Sequence, residues 1–155
     1  MNKGKRKLTR EDILPMVEYG RQRAEKSKIM SATKRDRRVA VGPDASFYFE
    51  SYETMWHQVH EMLFIEGCGE AQIPSELEAY NPLIPNGREL VATFMIEIDN
   101  PERRRCVLAE LGGVEKCLTL CVDGKIITGV AEADIDRTTA EGKTSAVHFV
   151  HFPFT

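Results

Sequence analysis

The chain has 155 residues, of which 42% are hydrophobic and 29% charged, with a formal net charge of −3. That length and composition predict a single domain, able to bury a core without disulfides or a structural metal and too apolar to be disordered. No stretch approaches the roughly 18 apolar residues of a membrane span. The basic start, Met1 to Lys7, runs into Leu8-Thr9-Arg10-Glu11-Asp12 and not into an apolar segment, so it is not a secretory signal, and the expected location is the cytoplasm.

In chain order, residues 1–7 read as a disordered basic tail. Thr9 followed by Asp12 reads as a helix cap, and a helix is expected from Pro15 to about Thr33. Its apolar residues, Leu14, Val17, Ala24 and Ile29, are sparse, so it packs through a narrow stripe and is a candidate for contact with a partner or a second copy of the chain. Val39-Ala40-Val41, the turn Gly42-Pro43-Asp44 and Ser46 to Glu50 form a hairpin. Tyr52 to Glu66 is the clearest helix, with Tyr52, Met55, Trp56, Val59, Met62 and Leu63 on one face and Gly67 as its stop. A short helix from about Pro74 to Tyr80 follows.

Leu90 to Asp99 alternates as a strand, with Leu90, Ala92, Phe94, Ile96 and Ile98 facing a core. Pro101 opens another helix, which Gly112-Gly113 ends. Cys117 to Val122 reads as a strand turning at Asp123-Gly124 into a second, and a last strand runs from about Ser145 to Phe152. Irregular order and abundant hairpins predict an α+β fold: a mainly antiparallel sheet of about five to six strands flanked by three to four helices.

Charge is divided along the chain. Residues 1–38 hold 13 Lys/Arg against 5 Asp/Glu, and the rest hold 8 against 19. The basic end lacks interleaved aromatics or a reader motif, so nucleic acid is not the expected partner. The cysteines, Cys68, Cys106, Cys117 and Cys121, include no Cys-x-x-Cys pair and read as reduced, mostly buried structural thiols, not as a cluster or zinc site.

Two constellations suggest chemistry. His57, His60 and Glu61 can face one way on a helix, with His60 at the edge of its apolar face. They are the candidate ligands for an iron or zinc ion, although His-x-x-His-Glu is not the zincin order. On the last strand His148 and His151 point to opposite faces, and His148 is the one expected to face a cleft. Gly142-Lys143-Thr144 imitates the end of a phosphate-binding loop but lacks its first glycine and its following helix. Lys143, Thr144, His148, Arg37 and Arg38 remain as a candidate anion-binding set.

Several segments carry a family resemblance: Lys-Leu-Thr-Arg-Glu-Asp-Ile-Leu at 7–14, Arg37 to Pro43, Glu61-Met62-Leu63, Ala79 to Pro85 and Lys143 to Phe149. Together they resemble a bacterial family known only as a domain of unknown function, whose members are typically encoded beside rubrerythrin and an iron–sulfur oxidoreductase of the heterodisulfide-reductase type. The resemblance implies an accessory or binding role in peroxide or oxygen defence, with those two proteins as candidate partners. The family pattern does not feature histidines at 57, 60 and 151, which favours Arg37, Arg38, Lys143 and His148. A small enzyme or binding protein for an anionic small molecule, and a metal-binding protein, are the other readings the residues allow.

Overall fold

The computed structural model describes residues 4–132 and 145–154. The chain forms two units, residues 1–37 with 50–87 and residues 38–49 with 88–155.

The first unit is helical. A reciprocal cap between Thr9 and Asp12 closes a 3-10 turn over Arg10–Asp12, with the Thr9 N–H donating to Asp12 Oδ2 at 2.8 Å. Helix α1, Met16–Arg35, starts after Pro15 and buries only Tyr19, the sparse packing that its few apolar residues predict. Helix α2, Tyr52–Glu66, is fixed at both ends. The Ser51 hydroxyl accepts from the Thr54 N–H at 3.2 Å, the Thr54 hydroxyl accepts from the Ser51 N–H at 2.8 Å, and Gly67 takes the left-handed conformation (φ 64°) that ends the helix. Its buried residues are Tyr52, Thr54, Met55, Val59, His60 and Leu63. Helix α3, Ile73–Tyr80, leads into a 3-10 turn at Asn81–Leu83. From there the Asn81 amide grips Leu8 as a paired strand would, accepting from its N–H at 2.7 Å and donating to its carbonyl at 3.0 Å. Leu8 is thereby held fully buried, and Lys5, in the basic start, pairs with Asp12 at 2.7 Å.

The second unit is mostly β. Strands β1 (Arg38–Val41), β2 (Ala45–Phe49), β3 (Glu89–Ile96), β6 (Val130–Ala131) and β7 (Val147–Pro153) form one antiparallel sheet in the order β1-β2-β3-β7-β6. Helix α4, Pro101–Glu110, follows β3, and β4 (Thr119–Val122) and β5 (Lys125–Thr128) make a separate hairpin. Among the described residues, four helices with a five-stranded antiparallel sheet confirm the α+β class read from the sequence. Register brings Phe47 opposite Phe94, Ala92 opposite Val150 and Leu90 opposite Phe152. Phe47, Ala92, Phe94, Ile96, Ile98, Leu108, Val150 and Phe152 form the core of this unit, each large side chain worth about 1.5–3 kcal/mol by its removal from water.

Three details depart from the sequence expectation. Cys117 ends a 3-10 turn at Val114–Lys116, so β4 starts only at Thr119. The β4–β5 hairpin stands outside the main sheet, though its Asp123-Gly124 turn has the positive φ at both positions (50° and 76°) that the dipeptide predicts. Val91, on the non-core side of β3, is also buried, so the middle of this strand is covered on both faces.

Among the described residues no helix is long and apolar enough to cross a membrane. Gly129, between β5 and β6, is a steric choice: a Cβ there would lie 2.7 Å from Val150 Cγ1 and 2.9 Å from the Leu118 carbonyl oxygen, which accepts the Gly129 N–H. Backbone on one side and a core residue on the other cannot both yield. Gly129→Ala is expected to destabilise the chain by about 1–3 kcal/mol, read as a lower denaturation midpoint in urea; an unchanged midpoint would contradict this packing.

Candidate functional site

In the first unit the second half of α1 and the first two turns of α2 border a groove of about 580 Å³, lined by Lys26, Met30, Thr33, Arg37, Tyr52 and Trp56 among others, with Ser51, Glu53 and His57 also on its wall. Trp56, the single tryptophan of the chain, is held from three directions. Its indole N–H donates to the Asp12 carbonyl at 2.9 Å, its ring stacks on His60 with centroids 3.7 Å apart, and the Lys26 ammonium lies 4.8 Å from its centroid.

Behind the indole lies a buried polar network. A backbone N–H can only donate, so the Leu14 N–H, 3.0 Å from His60 Nε2, requires that nitrogen to be unprotonated. The proton then sits on Nδ1, which donates to the Trp56 carbonyl at 2.7 Å. Burial, partly opposed by that hydrogen bond, pushes the His60 pKa down to about 4, so the ring is neutral. Next to it, Tyr19 is fully buried and donates to Glu61 Oε2 at 2.7 Å, while Arg23 binds both oxygens of the same carboxylate at 2.9 and 3.2 Å. The Arg23 hydrogen bonds hold Glu61 below its ordinary carboxylate pKa, and burial together with Glu61 raises that of Tyr19. His57 sits at the groove wall. Burial lowers its pKa; Glu61 opposes this, and Lys34, Arg23 and Lys26 reinforce it, so positive charge surrounds this end of the groove.

The matching family model is described as a protein of unknown function, DUF3501, and it covers residues 7–155. The chain belongs to the DUF3501 family. It is also similar to a crystal structure of a novel protein of unknown function from Burkholderia pseudomallei K96243, with 37% sequence identity and a TM-score of 0.86 over 96% of this chain and 77% of that one. No curated protein matches it.

Of the residues picked out in this DUF3501 chain by sequence, the structure sets His57 and Arg37 on the groove. Arg38 belongs to the other unit, where its Nε donates to the Tyr48 hydroxyl at 3.1 Å and its guanidinium is 3.9 Å from Glu97. His148 does not face a cleft: it is fully buried on the core side of β7, opposite Phe94, with Nε2 2.8 Å from the Ser145 carbonyl. Lys143 and Thr144 lie outside the described residues.

His57, His60 and Glu61 do not converge. His60 is fully buried, not at a boundary, with both ring nitrogens engaged by backbone groups, and Glu61 is occupied by Tyr19 and Arg23. Among the described residues no three His, Cys, Asp or Glu side chains are grouped to hold a metal ion. The four cysteines, expected to be buried, are all exposed free thiols. Cys106 lies on the outward side of α4, which buries only Leu108, and Cys68 follows the Gly67 helix stop.

The sequence also missed two features. Lys26 and Trp56, thirty residues apart, meet only through the α1–α2 pairing; the lone tryptophan beside a histidine was the available signal. His151, half-buried, is bracketed by two carboxylates, Glu89 at 3.0 Å and Glu132 at 2.7 Å, partners far from it along the chain.

The network makes stability depend on pH. The folded His60 pKa, about 4, lies below the ordinary value of 6.5, so between these values the unfolded chain binds the extra proton. Stability is full above pH 6.5 and is lost as the pH falls towards 4. The loss is on the order of 3 kcal/mol across the window. Glu61 and Asp12, whose pKa values are lowered, Asp12 to about 2, lose their contributions only at lower pH. Thermal melts are expected to show stability falling by about 2 kcal/mol from pH 7 to pH 5, and His60→Gln is expected to flatten that slope.

Proposed function

We propose that this protein is a binding protein for a small anionic ligand, and that the ligand occupies the α1–α2 groove. The observation that carries this reading is the pairing of cationic and aromatic groups on one concave wall: Lys26 over the Trp56 ring, with Arg37 and His57 also lining the groove. A cleft of this size with apolar walls and a few convergent polar groups is the usual form of a small-molecule site, and the surrounding lysines and arginines favour a negatively charged occupant.

A second reading is favoured by a different observation. All four thiols are exposed, as suits a protein that meets redox partners. We infer from this and from the family resemblance an accessory role beside rubrerythrin and an iron–sulfur oxidoreductase in peroxide defence.

Because Trp56 is the only tryptophan, its emission reports on the groove directly. Inorganic pyrophosphate is expected to change that emission saturably, with an affinity that weakens as salt is added. Lys26→Ala and Arg37→Ala should each weaken it about fivefold, or about 1 kcal/mol. Emission unmoved by millimolar pyrophosphate would sink the ligand reading. For the second, size-exclusion of the chain mixed with purified rubrerythrin or the oxidoreductase should show co-elution, reduced when the thiols are alkylated; separate peaks would remove it.

A further inference from the structure

We infer that the ligand of the α1–α2 groove is a planar heteroaromatic ring bearing a phosphate, a mononucleotide-type molecule whose ring stacks on Trp56. This deepens the anionic-ligand reading and rests on it.

The two faces of the indole are not equivalent. His60 is stacked on it at 3.7 Å with an interplanar angle of 29°, inside the buried network. The stacking pair is rigid, because both His60 nitrogens are spent on backbone groups and the indole N–H is spent on the Asp12 carbonyl. A platform of this kind, an aromatic ring fixed by its neighbours at the wall of a groove, is what binds a flat π-system with little ordering cost. Lys26 contacts the same indole, its ammonium 4.8 Å from the centroid. A cation over a ring marks an electron-rich surface. No second ring fits within that gap, so a stacking ligand must displace the ammonium. Its flexible four-carbon stem allows this movement, and the displaced charge is then available to the ligand's acidic group.

The remaining groups select the acid and the ring edge. Arg37 brings a second cation to the groove, and the Ser51 hydroxyl, which accepts from Thr54, keeps its own proton to donate. Two cations and a hydroxyl donor match a phosphate dianion better than a carboxylate, which carries one charge on two oxygens. His57, neutral because burial and the nearby lysines disfavour its charge, can donate or accept at a heteroatom edge. Glu53, at the rim, can accept from an amino group or a sugar hydroxyl. A purely aliphatic phosphate would leave the indole unused, and a ring without phosphate would offer the displaced Lys26 ammonium no anionic partner.

Isothermal titration calorimetry on the full chain tests this with adenosine monophosphate, uridine monophosphate and flavin mononucleotide, set against adenosine and inorganic phosphate as the separate halves. At least one of the three is expected to bind ten times more tightly than phosphate or more, with adenosine alone at least tenfold weaker than its monophosphate if that is the one bound. Trp56→Phe, which keeps a ring, should retain most of the affinity, and Lys26→Ala, a half-exposed position outside the buried network, should lose about tenfold. If all three bind no better than phosphate while pyrophosphate still binds, the ring inference is overturned and the anion reading stands. If neither they nor pyrophosphate bind, both fall.

Discussion

In the helical unit, the neutral imidazole of His60 ties the approach to α1 to the middle of α2. It accepts the Leu14 N–H, donates to the Trp56 carbonyl and lies flat against the Trp56 ring, all without exposure to water. The first of these bonds satisfies a backbone N–H that lies outside the helices and would be costly to bury alone. A charged imidazole cannot play this part, since its second proton would face the Leu14 N–H. The approach to α1, the middle of α2 and the wall of the groove therefore share one protonation state.

Around this imidazole the unit separates rigid from adaptable polar groups. Tyr19 and Arg23 together engage both oxygens of Glu61, so this carboxylate is occupied by the fold. Lys26 and His57 lie at the groove and are not part of that arrangement. The contrast explains why the His57-His60-Glu61 spacing, suggestive in sequence, forms no ligand cluster: two of its three members are consumed by the fold.

The β unit is organised differently. Its core residues alternate along β3 and β7, and the register sets Ala92 against Val150 and Phe94 against His148. His148 is a polar member of that core face, while His151 emerges on the opposite side between Glu89 and Glu132. One strand thus puts two histidines, three residues apart, into opposite environments, as the two-residue period of a strand requires.

By itself the sequence determined whatever depends on local pattern. The helix at 52–66 follows from its apolar spacing with Ser51 and Gly67 at its ends; the hairpin turn at 123–124 follows from Asp-Gly; the α+β class follows from the order of periodicities. Those features rest on interactions within a few residues and are written wherever the residues are. Only the tertiary structure decided which polar side chains were spent and which were left. The burial of His60 depends on Leu14, 46 positions away, the character of the groove on Lys26 meeting Trp56, and the exposure of the cysteines on which side of α4 and β4 faces outward. Such pairings arise from helix packing and sheet register between distant segments, and no local periodicity encodes the partner.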